Sequence, residues 1–381
     1  MSGPVGVGVI GAGNISAEYL RNLTSFPDLR VLAIADEVAD RAAEQARAFG
    51  VPHVGGVQEL LDDSGIEIVL NLTTPAAHVP VTSALLRSGK HVYSEKALAV
   101  DREGGRHLLA LAAERGLRLG CAPDTFLGAG LQSAKRLITS GAIGQPLSAI
   151  TLLQDPGPES WHPSPEFIYA PGAGPLWDRG PYYLTMLVQM LGSIRAVAAT
   201  TTTAFAERTV QTGPRAGTAF PVEVPTNVTA LLEFEGGVTA HSTFSYESPV
   251  LRKGWIEITG TEATLAVPDP NSFVGDVFIY PTRRFSFEEF MAAGVEPPRS
   301  DWRRVSSPEW TASRGLGVLD LARGLRSGTP HRASGELAFH VLDVMSSIDE
   351  AAQAKSFVTL ESSAPGAPLL PETWDPYRAT L

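Results

Sequence analysis

A glycine-bearing turn near the start of the chain gives the clearest chemical signal in the sequence. Residues 11–16 read Gly-Ala-Gly-Asn-Ile-Ser, follow a short apolar run and precede a helical pattern. Gly11 permits a tight turn, Gly13 lets the backbone approach a phosphate, and the helix N-terminus beyond supplies N–H donors. We predict that Gly11, Gly13, Asn14 and Ile15 bind the pyrophosphate of a dinucleotide, with Ser16 standing where a third glycine is common.

A carboxylate 23 positions after Gly13 indicates which dinucleotide the turn binds. Asp36 ends the second apolar run, and none of the four residues that follow it is an arginine. A carboxylate here accepts hydrogen bonds from the adenosine ribose hydroxyls and repels a 2′-phosphate. The predicted cofactor is therefore NAD rather than NADP.

Three further segments place polar side chains where elements begin or end. The first two follow predicted strands, which is where open α/β sheets bind ligands, and the third opens a helix. The segments contribute Thr73, Thr74, Pro75 and His78; Glu95 and Lys96; and Asp178, Tyr182 and Tyr183. We expect the first two groups to line the cofactor. For His78 a structural role stays open beside a contact at the cofactor's edge.

Together these segments resemble the Gfo/Idh/MocA family of sugar and inositol oxidoreductases, over nearly the whole chain. The resemblance implies an N-terminal Rossmann domain joined to a domain with an open, mainly antiparallel sheet. It also implies a Glu-Lys-Pro motif near the nicotinamide, matched here by Glu95 and Lys96. An Asp-x-x-x-Tyr motif in the second domain is matched by Asp178 and Tyr182. Ala97 stands where the first motif has proline, so we expect a less rigidly fixed loop.

The chemistry of hydride transfer gives these residues roles. A carbon that loses hydride bears a hydroxyl, so a partner group must take the hydroxyl proton. Asp178 and Tyr182 are four positions apart, which puts both on one helical face. We assign Lys96 as hydrogen-bond donor and proton relay, Tyr182 as general acid/base and Asp178 as orienter of neighbouring hydroxyls, meeting across an interdomain cleft. Tyr183 stays an alternative acid, because Pro181 should bend the helix.

Two loops hold further candidates for substrate contact. Asp124 and Phe126 lie at the entry to the second domain, while Trp161 and His162 offer an aromatic platform and an imidazole within the loop 155–174. For Trp161 and His162, packing within the loop remains the alternative. The predicted substrate-binding residues are Lys96, Asp124, Phe126, Trp161, His162, Asp178, Tyr182 and Tyr183. The eight histidines show no paired ligand spacing with nearby carboxylates, so we predict no metal.

The elements that must position these residues fall into two predicted domains. Residues 1–122 alternate apolar runs with helical patterns, which indicates α/β structure with a parallel sheet. Residues 123–381 change to strands joined by short glycine-bearing turns, which indicates an α+β domain with helices at 174–191 and 335–354. The stretch 268–308 is rich in Pro, Gly and Ser and is predicted as a long loop.

The composition excludes several classes of partner. A net charge of −11 over 381 residues, with 19% charged and 44% hydrophobic residues, is typical of a globular protein that binds neither nucleic acid nor anionic membrane. No apolar run approaches the roughly 20 residues of a membrane helix, and the N-terminus lacks a leader pattern. Cys121 is the single cysteine, so we expect a reducing, cytoplasmic location.

The sequence therefore predicts an NAD-dependent dehydrogenase or ketoreductase that acts on a sugar, glycoside or cyclic polyol. Two other functions stay open: a redox-assisted glycosidase or lyase that holds NAD tightly, and a non-catalytic dinucleotide or sugar sensor. We also expect a homo-oligomer, a dimer or tetramer, formed through the open face of the second domain's sheet. Ala230, Leu232, Thr239 and His241 are the residues expected on that face.

Overall fold

The chain divides into two units, the first of which is built from three separate stretches. It contains Met1–Gly128, Trp310–Ser346 and Leu370–Leu381, and the second unit contains Ala129–Glu309 and Ser347–Leu369. The computed structural model describes residues 3–283, 286–292, 301–307 and 312–381. This division differs from a single boundary at residue 122, because two C-terminal stretches belong to the first unit.

A six-stranded parallel sheet forms the centre of the first unit. Its strands are β1 Val5–Ile10, β2 Leu29–Ala35, β3 His53–Val54, β4 Ile68–Asn71, β5 His91–Ser94 and β6 Leu119–Cys121. They lie in the order β3-β2-β1-β4-β5-β6, and every residue of β1 is buried. Ile10 pairs with Ala35 on one side and Asn71 on the other, so the carboxyl ends of these strands share one edge. The predicted Rossmann-like fold is confirmed, although β3 was not predicted.

Five helices connect these strands, and their ends follow the local sequence. They are α1 Ser16–Leu23, α2 Ala39–Phe49, α3 Val57–Asp62, α4 Pro75–Arg87 and α5 Arg102–Arg115. The Asp101 carboxylate accepts a hydrogen bond from the Gly104 N–H and starts α5. The helix ends at Gly116, whose φ of 62° favours glycine. Leu85 of α4 and Leu108 of α5 belong to one buried apolar cluster beside the sheet.

A nine-stranded, mainly antiparallel sheet forms the second unit, as predicted. Its strands are β7 Pro146–Gln154, β8 Ile194–Thr202, β11 Asn227–Phe234, β12 Thr239–Ser245, β13 Arg252–Gly260, β14 Ala263–Val267, β15 Val277–Pro281, β16 Arg303–Val305 and β17 Val358–Thr359. Two further strands, β9 Glu207–Thr209 and β10 Ala219–Pro221, form a separate ribbon. The order is β16-β15-β14-β13-β7-β12-β11-β8-β17, and the β7–β12 pair is parallel.

Helices of the second unit pack against this sheet. The helix α6, Ala129–Thr139, contacts β14 and β15, and α7, Pro175–Leu191, contacts β11 and β12. The sequence did not predict α6. The predicted loop 268–308 instead contains β15, the short helix α8 (Phe287–Ala292) and β16, which corrects that prediction. Residues 284–285, 293–300 and 308 of that stretch lie outside the described residues.

The two faces of the sheet differ from the predicted arrangement. The hairpin register pairs Leu231 of β11 with His241 of β12, so these two side chains share a face. Ala230 and Leu232 are fully buried on the opposite, covered face, whereas Thr239 lies with His241 on the open one. The predicted open face of Ala230, Leu232, Thr239 and His241 is therefore wrong, because it mixes residues of both faces.

The C-terminal stretches of the first unit, Trp310–Ser346 and Leu370–Leu381, add one whole helix and the beginning of a second helix to it. Helix α9, Leu316–Ser327, packs on β4 and β6, and α10, Gly335–Ala354, begins in this unit. The Arg326 guanidinium of α9 binds both oxygens of Glu67, at 2.6 and 2.7 Å. Among the described helices, none is long and apolar enough to cross a membrane.

Candidate active site

The glycine turn after β1 leaves open space where a ligand phosphate would approach. Gly11 has a φ of 98°, and a Cβ there would lie 2.6 Å from the Leu72 carbonyl oxygen. A Cβ at Gly13 would meet no atom within 4 Å, and Gly13 and Asn14 are exposed. The Ser16 hydroxyl donates to the Gly13 carbonyl oxygen at 2.6 Å, which fixes the turn from its inner side. This geometry fits a pyrophosphate at the start of α1.

The Asp36 carboxylate is held beside that turn. One oxygen accepts a hydrogen bond from the Ala12 N–H at 2.6 Å, and the other accepts from the Val38 N–H at 2.8 Å. Asp36 is half-buried at the carboxyl end of β2, with its charge next to the turn. The position fits the predicted contact with the ribose of NAD.

We expect NAD(H) to bind at least about tenfold tighter than NADP(H), because a 2′-phosphate would face the Asp36 charge. Asp36→Asn keeps an acceptor for the Ala12 N–H but removes the charge. The affinities for NAD(H) and NADP(H) should therefore differ less in this variant. Asp40→Ala, which removes an exposed carboxylate in the first turn of α2, is the matched control. Calorimetric titration with both cofactors measures this; equal affinities in the parent protein would contradict the prediction.

Asn71, which the sequence analysis missed, organises the carboxyl end of β4. Its side-chain oxygen accepts from the Thr73 N–H at 3.1 Å and the Thr73 hydroxyl at 2.7 Å, and its amide donates to the Thr82 hydroxyl at 3.1 Å. Its carbonyl oxygen accepts from the Glu95 N–H at 2.9 Å. Thr74 and Pro75 beyond it are exposed at the start of α4. The feature of the sequence that could have identified Asn71 is a polar residue at the end of a buried strand.

Glu95 supports the backbone of Lys96 rather than reaching outward. It is buried, and its two oxygens accept from the Tyr19 hydroxyl at 2.7 Å and the Lys96 N–H at 2.9 Å. The Arg314 guanidinium lies 3.9 Å from the same carboxylate. Burial raises the pKa of the Tyr19 hydroxyl, and the Glu95 charge raises it further, so Tyr19 remains a donor. Tyr19 and Arg314 are distant in sequence, and no local motif indicated them.

His78 and Ala97 fix the loop on its other side. The His78 ring is fully buried; Nδ1 lies 2.6 Å from the Ala97 carbonyl oxygen and Nε2 lies 3.0 Å from that of Thr73. The structure thus places His78 beneath the loop, with both ring nitrogens engaged by the protein. The chain is held immediately after Lys96, although Ala97 replaces the proline of the motif.

In the second unit, Asp178 is held by two residues that were not predicted. The Tyr246 hydroxyl donates to one Asp178 oxygen at 2.7 Å, and the Arg179 Nε lies 3.1 Å from the same atom. Burial and the nearby Asp178 charge raise the pKa of Tyr246, so its hydroxyl stays a donor. A guanidinium and a hydroxyl together stabilise the Asp178 carboxylate and fix its direction.

Both adjacent tyrosines, Tyr182 and Tyr183, are buried. Tyr183 is almost fully buried, its ring stands edge-on to Phe244 at 5.7 Å, and its hydroxyl oxygen accepts from the Gly254 N–H at 3.0 Å. Burial raises the pKa of the Tyr183 hydroxyl. Helix α7 runs without a break through Pro181 from Pro175 to Leu191. Tyr183 is therefore engaged in packing the core, one position beyond Tyr182.

The other predicted substrate residues fall into two groups. Asp124 and Phe126 are buried in the first unit, where one Asp124 oxygen accepts from the Gly315 and Gly317 N–H groups at 3.0 and 2.9 Å. Burial raises the pKa of Asp124. This corrects the expected substrate contact, because both side chains are enclosed and Asp124 anchors the start of α9.

Trp161 and His162 instead lie in an aromatic group at the surface of the second unit. Trp161 is 53% exposed, and its ring stands edge-on to His162 at 5.5 Å. His162 packs in the same way on Phe167, which is 62% exposed and was not predicted. The exposed rings provide an apolar platform of the kind that stacks on sugars.

Two family models match the chain. Residues 5–122 match a model described as the oxidoreductase family with an NAD-binding Rossmann fold. Residues 131–266 match the GFO/IDH/MocA C-terminal domain. Together the matches span most of the chain, one in each unit.

Similar proteins differ in how much of this chain they cover. The chain is 34% identical to dTDP-3,4-didehydro-2,6-dideoxy-alpha-D-glucose 3-reductase of Streptomyces antibioticus, over 49% of this chain and 56% of that protein. It is 27% identical to trans-1,2-dihydrobenzene-1,2-diol dehydrogenase of Oryctolagus cuniculus, over 84% of this chain and 90% of that protein. The match thus spans about half the length of the first relative and most of the second.

A solved structure shares the fold. Levoglucosan dehydrogenase, in complex with NADH and L-sorbose, aligns with a TM-score of 0.76 over 94% of this chain and 99% of that one. The sequence identity is 22%, so the likeness shows the fold alone.

Proposed function

Because the chain belongs to the Gfo/Idh/MocA family of NAD-binding oxidoreductases, we propose that it transfers a hydride between NAD(H) and a carbon of a sugar, glycoside or cyclic polyol. The reacting carbon carries a secondary hydroxyl group in the alcohol and is the carbonyl carbon in the ketone. The observation that carries this proposal is the support of Lys96: buried Glu95 accepts from the Lys96 N–H and from Tyr19. A loop fixed in this way holds an amine in place for proton transfer.

The residues that would hold NAD are Gly11–Ile15, Asp36 and the segment Thr73–Pro75. The open space over Gly13 and the carboxylate beside it fit the group. When bound, NAD⁺ supplies the hydride acceptor, and the protein supplies binding and orientation.

Three side chains would handle the substrate oxygen and its proton. The Lys96 amine donates a hydrogen bond to that oxygen and relays the proton, and the Tyr182 hydroxyl acts as the general acid or base. The Asp178 carboxylate, stabilised by Tyr246 and Arg179, accepts hydrogen bonds from neighbouring hydroxyls and orients the ring. The platform of Trp161 and Phe167 is a candidate surface for the apolar face of a sugar.

The decisive experiment is absorbance at 340 nm with NAD⁺ and a panel of levoglucosan, myo-inositol and aryl glycosides, and with NADH and L-sorbose. NADH formation coupled to an oxidised sugar supports the proposal. Product analysis separates it from redox-assisted cleavage, which would release the aglycone without net NADH. A protein that binds NAD⁺ by calorimetry but turns over no member in either direction would contradict the proposal.

We also propose a homo-oligomer, a dimer or tetramer, formed through the open face of the second unit's sheet. Leu231 and Ile150 are each 51% exposed there, in one row with His241 across three strands. Trp255, 44% exposed, extends this apolar face. Leu231→Lys should dissociate the oligomer into monomers, because the charged lysine side chain would be desolvated in the interface.

Light scattering at micromolar concentration measures this state. Leu251→Lys, at a leucine just before β13 that is 60% exposed, serves as the control and should leave the assembly intact. A parent protein with a mass near 40.4 kDa would refute the proposed oligomer.

A reducing, cytoplasmic location is the corresponding proposal for the compartment. Cys121 is the sole cysteine of the sequence, and it is buried. Burial raises the pKa of its thiol, which disfavours the reactive thiolate. Fractionation of the native host measures the location directly.

A further inference from the structure

His78 makes two contacts of one kind that the proposed mechanism does not use. Its buried ring lies between the carbonyl oxygens of Ala97, at 2.6 Å from Nδ1, and Thr73, at 3.0 Å from Nε2. A carbonyl oxygen only accepts hydrogen bonds, so each contact requires an N–H on the ring.

The two carbonyls belong to two different parts of the predicted site. Thr73 follows β4, in the segment that leads to the exposed Thr74 and Pro75. Ala97 directly follows Lys96. The imidazole therefore joins the loop that carries the amine to a loop assigned to the cofactor, inside a single unit.

We propose that His78 is a positioning residue, whose Nδ1 contact sets Lys96 and whose Nε2 contact sets the cofactor loop. This inference rests on the proposed function, because it concerns the placement of Lys96. Glu95 holds the Lys96 N–H from one side, and His78 holds the next carbonyl from the other. A displacement of about 1 Å in a catalytic group costs about 10²-fold in rate, so loss of one support should be measurable.

Two conservative variants separate the two contacts. An asparagine amide reaches approximately the position of Nδ1, and a glutamine amide approximately that of Nε2. His78→Gln should lower kcat by about 10²-fold and leave NADH affinity unchanged, because the Ala97 contact is lost. His78→Asn should keep kcat near the parent value and weaken NADH binding, because the Thr73 contact is lost.

A second readout does not depend on turnover. The chain has five lysines, so reductive methylation with ¹³C-formaldehyde gives few NMR signals, and Lys96→Arg identifies that of Lys96. The Lys96 signal should move in His78→Gln and stay in His78→Asn. The matched control is His91→Gln: burial lowers the pKa of His91 to about 4, and its ring accepts from the Arg118 N–H. That variant should change neither kcat nor the Lys96 signal.

The outcomes distinguish this inference from the proposed function. Turnover is followed with NAD⁺ and levoglucosan or myo-inositol, NADH binding by fluorescence, and folding by thermal melting. If His78→Gln leaves the Lys96 signal and kcat at parent values, or if both variants change them equally, the positioning role is wrong. If Lys96→Ala retains turnover while His78→Gln still moves the Lys96 signal, the catalytic role of Lys96 fails and the positioning role stands. If the parent protein turns over no member of the panel while His78→Gln still moves the Lys96 signal, the proposed function fails and the positioning role stands.

Discussion

Lys96→Ala should lower kcat by about 10²–10⁴-fold, the usual effect of losing one group that moves a proton or stabilises developing charge. NAD⁺ affinity should change little, because the turn and Asp36 carry the contacts with the adenosine half. Stopped-flow absorbance at 340 nm measures turnover, and calorimetry measures binding. Lys355→Ala, which removes an exposed lysine after α10, is the control and should behave as the parent.

A second substitution at this position tests which property of the amine matters. Lys96→Arg keeps the positive charge and the hydrogen-bond donors, but a guanidinium does not release a proton at neutral pH. If Lys96 relays a proton, arginine should be nearly as inactive as alanine. A Lys96→Ala enzyme with half of the parent's turnover would eliminate the assigned role.

The second large effect separates the adjacent tyrosines. Tyr182→Phe should lower kcat by about 10²-fold or more at little cost in stability, because only the reacting hydroxyl is removed. Tyr183→Phe leaves the Gly254 N–H without its acceptor and should destabilise the fold by about 1–3 kcal/mol with turnover retained. Denaturant titration beside steady-state kinetics on both variants gives the comparison.

The two variants also serve as each other's control, because they remove the same atom from neighbouring positions. If Tyr183→Phe abolishes turnover while Tyr182→Phe has no effect, the shared-face argument for Asp178 and Tyr182 is wrong. The general acid would then be Tyr183, whose oxygen accepts from the Gly254 N–H while its own hydroxyl proton stays available for transfer.

Most of residues 1–122 could be predicted closely because the longer elements show a local hydrophobic period, which the two-residue strand β3 does not. The alternation of strands and helices predicted for residues 1–122 is present, for example in β1 Val5–Ile10, α2 Ala39–Phe49, α3 Val57–Asp62 and α5 Arg102–Arg115. Helix α6 was missed because Gln132 and Lys135 interrupt its apolar side. Both are buried, and the Lys135 amine donates to the Gln189 side chain at 2.9 Å. Such burial depends on a partner 54 positions away, which no local pattern reveals.

The error in the sheet face has a different cause. In the β11–β12 hairpin, Leu231 pairs with His241 and Glu233 with Thr239. A register shifted by one residue moves every side chain of a strand to the other face. The strands were found from their composition, but their register depends on the geometry of the turn.

The residues that hold the candidate site in place could not be predicted from the sequence, for a related reason. Tyr19 and Glu95 are 76 positions apart, and Tyr246 and Asp178 are 68 apart. Motif spacing identified the side chains assigned to the reaction, because each motif spans only a few residues: Glu95 with Lys96, and Asp178 with Tyr182. The residues that hold them come from other elements and are known only once the fold is known.

The three-part composition of the first unit matters for anyone who wishes to build hybrid enzymes within the family. A gene fragment cut near residue 122 would contain the dinucleotide turn but not α9, and Glu67 would lose the Arg326 guanidinium 259 positions away. Asp28 would also lose Arg323 and the backbone N–H groups of Thr380 and Leu381. A transplant of the cofactor half between relatives therefore has to exchange three coding segments together. The second unit, by contrast, consists of two insertions between those segments.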